Sequence, residues 1–246
     1  MSGHSKWSSI KHKKGAADAK RGKIFTKLIR EITVSARQGG PDEAANSRLR
    51  DAVSKALKAN MKRDTIDNSI KRGVGDLDGA EMIEMRYEGY GPAGVAILVD
   101  CLSDNKNRTV SEVRHAFTKY GGNLGTDGSV AYLFNKQGEI LLASTPDHER
   151  AMDVAIEAGA DDVILDGTQL EVMTPPDGYH ALLLALRDAG FDVEQSHVTM
   201  RAQTLVALKP GQLETLEKLI DVLEDLDDVQ EVYSNVAFPE GSEESD

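Results

Sequence analysis

The spacing of apolar residues turns from helical to alternating near Gly73, and that change constrains the fold more than any other feature. Before it the period is helical. Ile24, Leu28 and Ile32 recur at i, i+4 and i+8, with Phe25 and Ile29 beside them, so one stripe of a helix beginning near Asp18 is apolar. Gly39-Gly40-Pro41 stops that helix. A second helix fits residues 46–60, with Leu49, Val53, Ala56 and Leu57 on one face. A third fits 64–72, with Ile66 and Ile70, and Gly73 ends it. Short amphipathic helices cannot bury their faces singly, so the three are expected to form a bundle. After a glycine-bearing linker, 73–80, the period becomes alternating.

The second half reads as α+β. Strands are expected at 82–87 and 95–102, a helix at 109–120 and a strand at 129–134. Then follow strand 139–143, helix 147–158, strands 163–165 and 170–174, helix 177–189 and strand 193–200. That order is β-α-β-β-α-β, the ferredoxin-like order. Helix 210–224 and strand 229–234 return to the sheet begun at 82. The expected fold is a basic helical bundle with an N-terminal arm (1–75) followed by two ferredoxin-like α+β domains. One of these, 136–204, is inserted in the other, 81–135 plus 205–238, and an acidic tail (239–246) ends the chain.

Charge follows the same boundary. The net charge is −12, but residues 1–72 hold eighteen Lys or Arg against seven Asp or Glu, a net of +11. The remainder therefore carries −23. Residues 1–30 hold nine basic residues and one acid, Asp18. Such a stretch neutralises phosphates and releases their counterions whatever the base sequence. The nucleic-acid-binding candidates are Lys6, Trp7, Lys11, Lys13, Lys14, Lys20, Arg21, Lys23 and Lys27, with the cations on phosphate and Trp7 stacking on a base. The same charge pattern also fits a basic helix that salt-bridges to the acidic body. Helices two and three are joined by about three residues, as in a helix-turn-helix and as in any compact bundle. No paired Asn and Arg on one exposed face is evident, which favours recognition of shape over base edges.

Enzyme motifs are weaker than their structural readings. Gly89-Tyr90-Gly91-Pro92-Ala93-Gly94 spells G-x-G-x-x-G but falls between two expected strands, where a dinucleotide site needs a strand and then a helix. Gly121–Gly128 fits a helix C-cap and tight turn better than an anion nest. Glu224, Asp225, Asp227 and Asp228 are expected to face water. The six histidines show no metal-binding spacing, and Cys101 lies in an expected strand core. No catalytic residue, metal ligand or cofactor is expected. No apolar run reaches the roughly 20 residues of a membrane span, and no signal-peptide pattern is seen, so the expected location is the cytoplasm and no membrane partner is expected.

Several runs resemble the YebC family: Gly3-His4-Ser5-Lys6-Trp7, Ala19-Lys20-Arg21-Gly22-Lys23-Ile24-Phe25-Thr26-Lys27, and Tyr87 to Pro92 continuing through Asn107-Arg108-Thr109 to Gly121-Gly122-Asn123-Leu124-Gly125. Asp227-Asp228-Val229-Gln230-Glu231-Val232-Tyr233 also matches. The resemblance covers the whole chain. It implies three domains, a helical bundle and two α+β domains, one inserted in the other. It also implies a probable transcriptional regulator that binds DNA. A mitochondrial relative is a translational activator of cytochrome oxidase, and bacterial members are linked to ribosomes stalled at proline-rich stretches. The signature begins at Gly3 with no transit peptide before it, which points to a bacterial cytoplasmic member. The expected partner is nucleic acid, either DNA or rRNA within the ribosome, with a protein partner for the acidic domains.

Overall fold

The computed structural model describes residues 18–78, 81–145 and 147–238, with side chains from residue 22 onward. They form two compact units. Of the described residues, one unit holds those from Asp18 to Ala131 together with Leu208–Ser234, and the other holds those from Tyr132 to Ala207 with 235–238. The fold is α+β, with a helical bundle preceding two antiparallel sheets. Among the described residues, no helix is long and apolar enough to cross a membrane.

The bundle consists of α1 (Asp18–Gly39), α2 (Ser47–Lys58) and α3 (Arg63–Val74). Ile32, Ala36, Leu49, Ala52, Val53, Ala56, Met61 and Ile66 make its core. Each buried Leu or Ile contributes roughly 1.5–3 kcal/mol relative to exposure. Asn46 fixes the entry to α2. Its Oδ1 accepts from the Leu49 amide at 3.0 Å, and its Nδ2 donates to the carbonyls of Ser35 and Gly40 at 2.8 and 2.9 Å. One side chain thus caps α2 and ties the loop to α1.

Gly73 does not end the third helix. It lies inside α3, and the left-handed cap is Gly75, at φ 91°. A Cβ on Gly73 would sit 2.4 Å from the Thr33 carbonyl oxygen, so this glycine permits the close approach of α3 to α1. Sequence alone does not separate a packing glycine from a capping one, because both interrupt the apolar pattern.

The same unit continues with a four-stranded antiparallel sheet of order β3-β1-β2-β9, built from β1 (Ile83–Tyr90), β2 (Ala96–Ser103), β3 (Asn123–Leu124) and β9 (Val229–Ser234). Helices α4 (Lys106–Lys119) and α7 (Pro210–Asp225) pack with it. The β1–β2 pairing runs from Ile83 opposite Ser103 to Tyr90 opposite Ala96. Ala96, Ile97, Leu98 and Val99 are all buried, so β2 reads as a continuous apolar run, as a doubly covered strand should.

Residues 129–134 do not form the expected strand. They make a loop and a short 3-10 turn, Ala131–Leu133, before a strand that starts at Phe134. The cause is Glu88. Its buried carboxylate accepts from the amides of Gly128, Val130 and Ala131, each at 2.7 Å. Those donors serve a side chain and are lost to a strand ladder. The third strand of this sheet is the two-residue β3 instead.

The second unit carries β4 (Phe134–Leu142), α5 (His148–Glu157), β5 (Asp162–Asp166), β6 (Gln169–Thr174), α6 (Tyr179–Asp188) and β7 (Val193–Ala202). The sheet order is β5-β6-β4-β7, all antiparallel, the arrangement expected of the β-α-β-β-α-β order. Ile140, Leu142, Leu170 and Val172 face Ala151, Ala155, Leu182 and Leu186 across one core. A short parallel pair, β8 (Val206–Ala207) with β10 (Val236–Ala237), completes the unit.

Candidate nucleic-acid interface

The stripe of α1 that carries Lys23, Lys27 and Arg30 meets the C-terminal end of α7. Lys23 Nζ donates to the Asp225 carbonyl at 2.9 Å and lies 3.4 Å from its carboxylate. Lys27 Nζ donates to the Glu224 carbonyl at 2.6 Å. A helix C-terminus leaves carbonyls without intrahelical donors and carries partial negative charge, so lysines there satisfy both. Arg30 reaches the carbonyls of Asp227 and of Leu102, the latter at 3.2 Å, and the Asp228 carboxylate at 2.9 Å.

Asp228 is the hub of this contact and does not face water; it is 2 % exposed. Besides Arg30, it accepts from Thr109 Oγ1 at 2.7 Å, Ser103 Oγ at 2.8 Å and the Arg108 guanidinium at 2.9 Å. Burial by itself raises a carboxyl pKa. Here the hydrogen bonds from Thr109, Ser103 and Arg108, with the charge of Arg30, outweigh it and hold Asp228 below the ordinary aspartate value. Three runs far apart in sequence, around Lys23–Arg30, Ser103–Thr109 and Asp227–Asp228, therefore meet at one carboxylate. The groove beside it is lined by Lys23, Arg30 and Arg108 but also by Asp104, Glu112, Asp225 and Asp227. Acids outnumber bases there, so it does not suit phosphate.

Of the expected site residues, Lys6, Trp7, Lys11, Lys13 and Lys14 lie outside the described residues. Lys20 and Arg21 fall on α1, their side chains not among those described, and Lys23 and Lys27 dock on α7 as above. Other bundle cations are also held internally. Arg48 pairs with Glu31 at 2.7 Å and Glu84 at 2.5 Å, Arg63 with Glu43 at 2.7 Å and Asp67 at 3.0 Å, and Arg37 with Glu81 at 3.8 Å.

A different set remains available. Lys55, Lys58, Lys62, Lys71 and Arg72 are all exposed, and none has an ion-pair or hydrogen-bond partner for its side chain among the described residues. They come from the last turn of α2, the α2–α3 turn and the last turn of α3. Sequence reasoning missed them because it weighed the density of charge, which peaks at residues 6–30. The usable signal was the distance of each cation from a carboxylate in the fold.

The glycine motifs resolve into packing. Pro92–Gly94 is a 3-10 turn joining β1 to β2. A Cβ on Gly89 would sit 2.7 Å from the Phe117 ring, and one on Gly91 would sit 2.9 Å from Ile97. Gly121, at φ 74°, follows the end of α4 at Tyr120. Cys101 is buried in β2, and burial pushes its thiol up to about 12.

The second unit offers the opposite electrostatics: residues 132–207 hold thirteen Asp or Glu against four Lys or Arg. On the sheet face away from its helices, the central strands carry buried Glu139 and Glu171, bridged by Arg201 at 3.1 and 3.0 Å. RNA-binding sheets of this architecture carry aromatic rings on their central strands for base stacking. Carboxylates there disfavour nucleic acid.

Residues 5–76 match the TACO1/YebC protein N-terminal domain, and residues 82–236 match the TACO1/YebC second and third domain. A probable transcriptional regulatory protein of Legionella pneumophila strain Paris is 70 % identical over 240 residues, which span 98 % of this chain and 97 % of that one. A probable transcriptional regulatory protein of Dichelobacter nodosus is 55 % identical over 240 residues, 98 % of each chain. The crystal structure of a conserved hypothetical protein from Aquifex aeolicus superposes with a TM-score of 0.82 at 43 % identity, covering 96 % of this chain and 98 % of that one.

Proposed function

The chain belongs to the TACO1/YebC family, and from that premise we propose that it is a non-enzymatic regulator of gene expression that holds duplex DNA against its helical bundle. One observation carries the reading. Lys55, Lys58, Lys62, Lys71 and Arg72 are exposed cations without internal partners among the described residues, on the module whose net charge is +11. A cation already held by a carboxylate must lose that partner before it serves phosphate; these five need not. The basic residues 6–14, outside the described residues, add to the positive charge of the same stretch of sequence. The acidic sheet face of the second unit keeps polyanions off that part of the chain and is the surface offered to a protein partner.

Fluorescence anisotropy on labelled random duplex, read across a salt series, tests this. The logarithm of the affinity falls with the logarithm of salt by about 0.9 per phosphate contacted. Replacing Lys55, Lys58 and Lys62 together by Ala is expected to lower that slope by roughly 2.7. An unchanged slope and affinity refute the assignment of the surface.

A second reading draws on the composition of the same set. Four of the five cations are lysines, which hold phosphate as point charges in any helical geometry. A translation factor that docks on rRNA and relieves stalling at proline-rich stretches would use them equally well. Sedimentation of cell lysate through a sucrose gradient separates the two. Travel with ribosomes that is lost in the triple lysine variant supports the second reading, and wild type remaining at the top of the gradient refutes it.

A further inference from the structure

We infer that α2 and α3 form a helix-turn-helix in which Asn68 and Arg72 read base edges in the DNA major groove. This rests on the DNA-binding reading above and names its specificity determinants.

The turn is Ala59–Lys62, four residues between two helices of twelve residues each. Helix-turn-helix turns are of this length and usually place glycine at a left-handed position. Here Asn60 takes that conformation, at φ 61°, and asparagine tolerates it better than other side-chain-bearing residues. Met61, next in the turn, is buried and joins the bundle core.

The packing of α3 decides which residues it presents. Ile66 and Ser69 are fully buried, and Gly73 lets the helix sit directly against the backbone of α1. Thr33 Oγ1 on α1 donates to the Ser69 carbonyl at 3.2 Å. The opposite side of α3 carries Asp64, Asn68, Lys71 and Arg72, all exposed. Asn68 and Arg72 are four residues apart, so they lie one above the other on that side, a paired Asn and Arg on one exposed face that the sequence pattern does not make evident. Their separation along the axis is about 6 Å, close to two base-pair steps of about 3.4 Å.

These two residue types carry the major-groove code. An asparagine amide pairs bidentately with adenine N6 and N7, and a guanidinium does so with guanine O6 and N7. Neither side chain has a partner among the described residues that would hold it back. Asp64, one turn earlier, is an acceptor that suits an exocyclic amine, that of cytosine or adenine, in the same groove. The lysines at 55, 58 and 62 flank the turn and supply phosphate contacts that set register without reading sequence. Duplex RNA closes this route, because side chains cannot read its deep, narrow major groove.

The experiment is selection of bound duplexes from a pool with a randomised core, using the full chain as wild type, Asn68→Ala, Arg72→Lys and the Lys55→Ala, Lys58→Ala, Lys62→Ala variant. Arg72→Lys keeps the charge and removes the planar fork. Wild type is expected to enrich a motif with an adenine and a guanine one or two steps apart. Asn68→Ala should lose preference at the adenine and Arg72→Lys at the guanine, each by roughly 5- to 150-fold, with the melting temperature nearly unchanged. Wild type that binds random duplex but enriches nothing overturns the base-reading inference and leaves the phosphate surface standing. A motif that survives both single substitutions also overturns it. Failure of wild type to bind any duplex removes the DNA-binding reading itself.

Discussion

Replacing Asp228 by Ala isolates the contact that joins α1 to the sheet. The carboxylate is 2 % exposed and engages Arg30, Arg108, Ser103 and Thr109. Its removal leaves the Arg30 guanidinium, whose side chain is 15 % exposed, facing carbonyls without its counter-charge. It also leaves the Thr109 and Ser103 hydroxyls with only the Asn105 carbonyl, at 2.9 and 3.4 Å, to accept from them. Breaking a buried ion pair by removing one partner costs about 3–5 kcal/mol. Arg108 adds little to this, since its side chain is 42 % exposed and retains Asp104 at 2.9 Å. At about 2–4 °C per kcal/mol for a chain of this size, the melting temperature should fall on the order of 10 °C. Thermal denaturation followed by circular dichroism at neutral pH reads this directly. Asp227→Ala is the control: that side chain is exposed, so the expected change is within about 0.5 kcal/mol.

The same pair of variants tests the electrostatics. Because Asp228 titrates lower in the folded protein than in the unfolded chain, its stabilisation is fully present above the ordinary aspartate value of about 3.9. It is lost as pH falls through the depressed folded value. Below that range wild type and Asp228→Ala should converge in melting temperature. A variant that melts within a degree or two of wild type at neutral pH, or a difference that stays constant into strong acid, refutes the hub.

Three further outcomes follow from the geometry. Glu88→Ala strips the acceptor from the amides of Gly128, Val130 and Ala131, so limited proteolysis should cut within 125–131 well before wild type is touched, and equal cleavage rates would contradict the clamp. Gly73→Ala forces a methyl onto the Thr33 carbonyl and should destabilise by about 1–3 kcal/mol in denaturant titration, against the slight gain an exposed helical site would show. Cys101, with its thiol at about 12, should resist a thiol reagent at pH 8 in the folded protein and react at once in denaturant; fast native labelling would show that β2 opens.

Local pattern carried most of the architecture. The 3.6-residue spacing of Leu28 and Ile32 and the continuous run Ala96–Val99 report the environment of each element through its own side chains, so helices and strands are legible from neighbours in sequence, although Ile24, at the same spacing, is exposed. The β-α-β-β-α-β order of the second unit is legible for the same reason. The exceptions share a cause. Glu88 diverts amides 40 to 43 residues away, and Gly73 is set by a carbonyl 40 residues earlier on α1. Charge density drew attention to residues 6–27, and the resemblance to a known family brought together runs whose meeting point it could not supply. Only the tertiary structure put Asp228 under Arg30 and Arg108, set Lys23 and Lys27 on the carbonyl end of α7, and left Lys55, Lys58, Lys62, Lys71 and Arg72 without partners among the described residues. A cation's availability depends on which acids lie within a few ångströms of it, and folding brings those acids from positions up to some 200 residues distant.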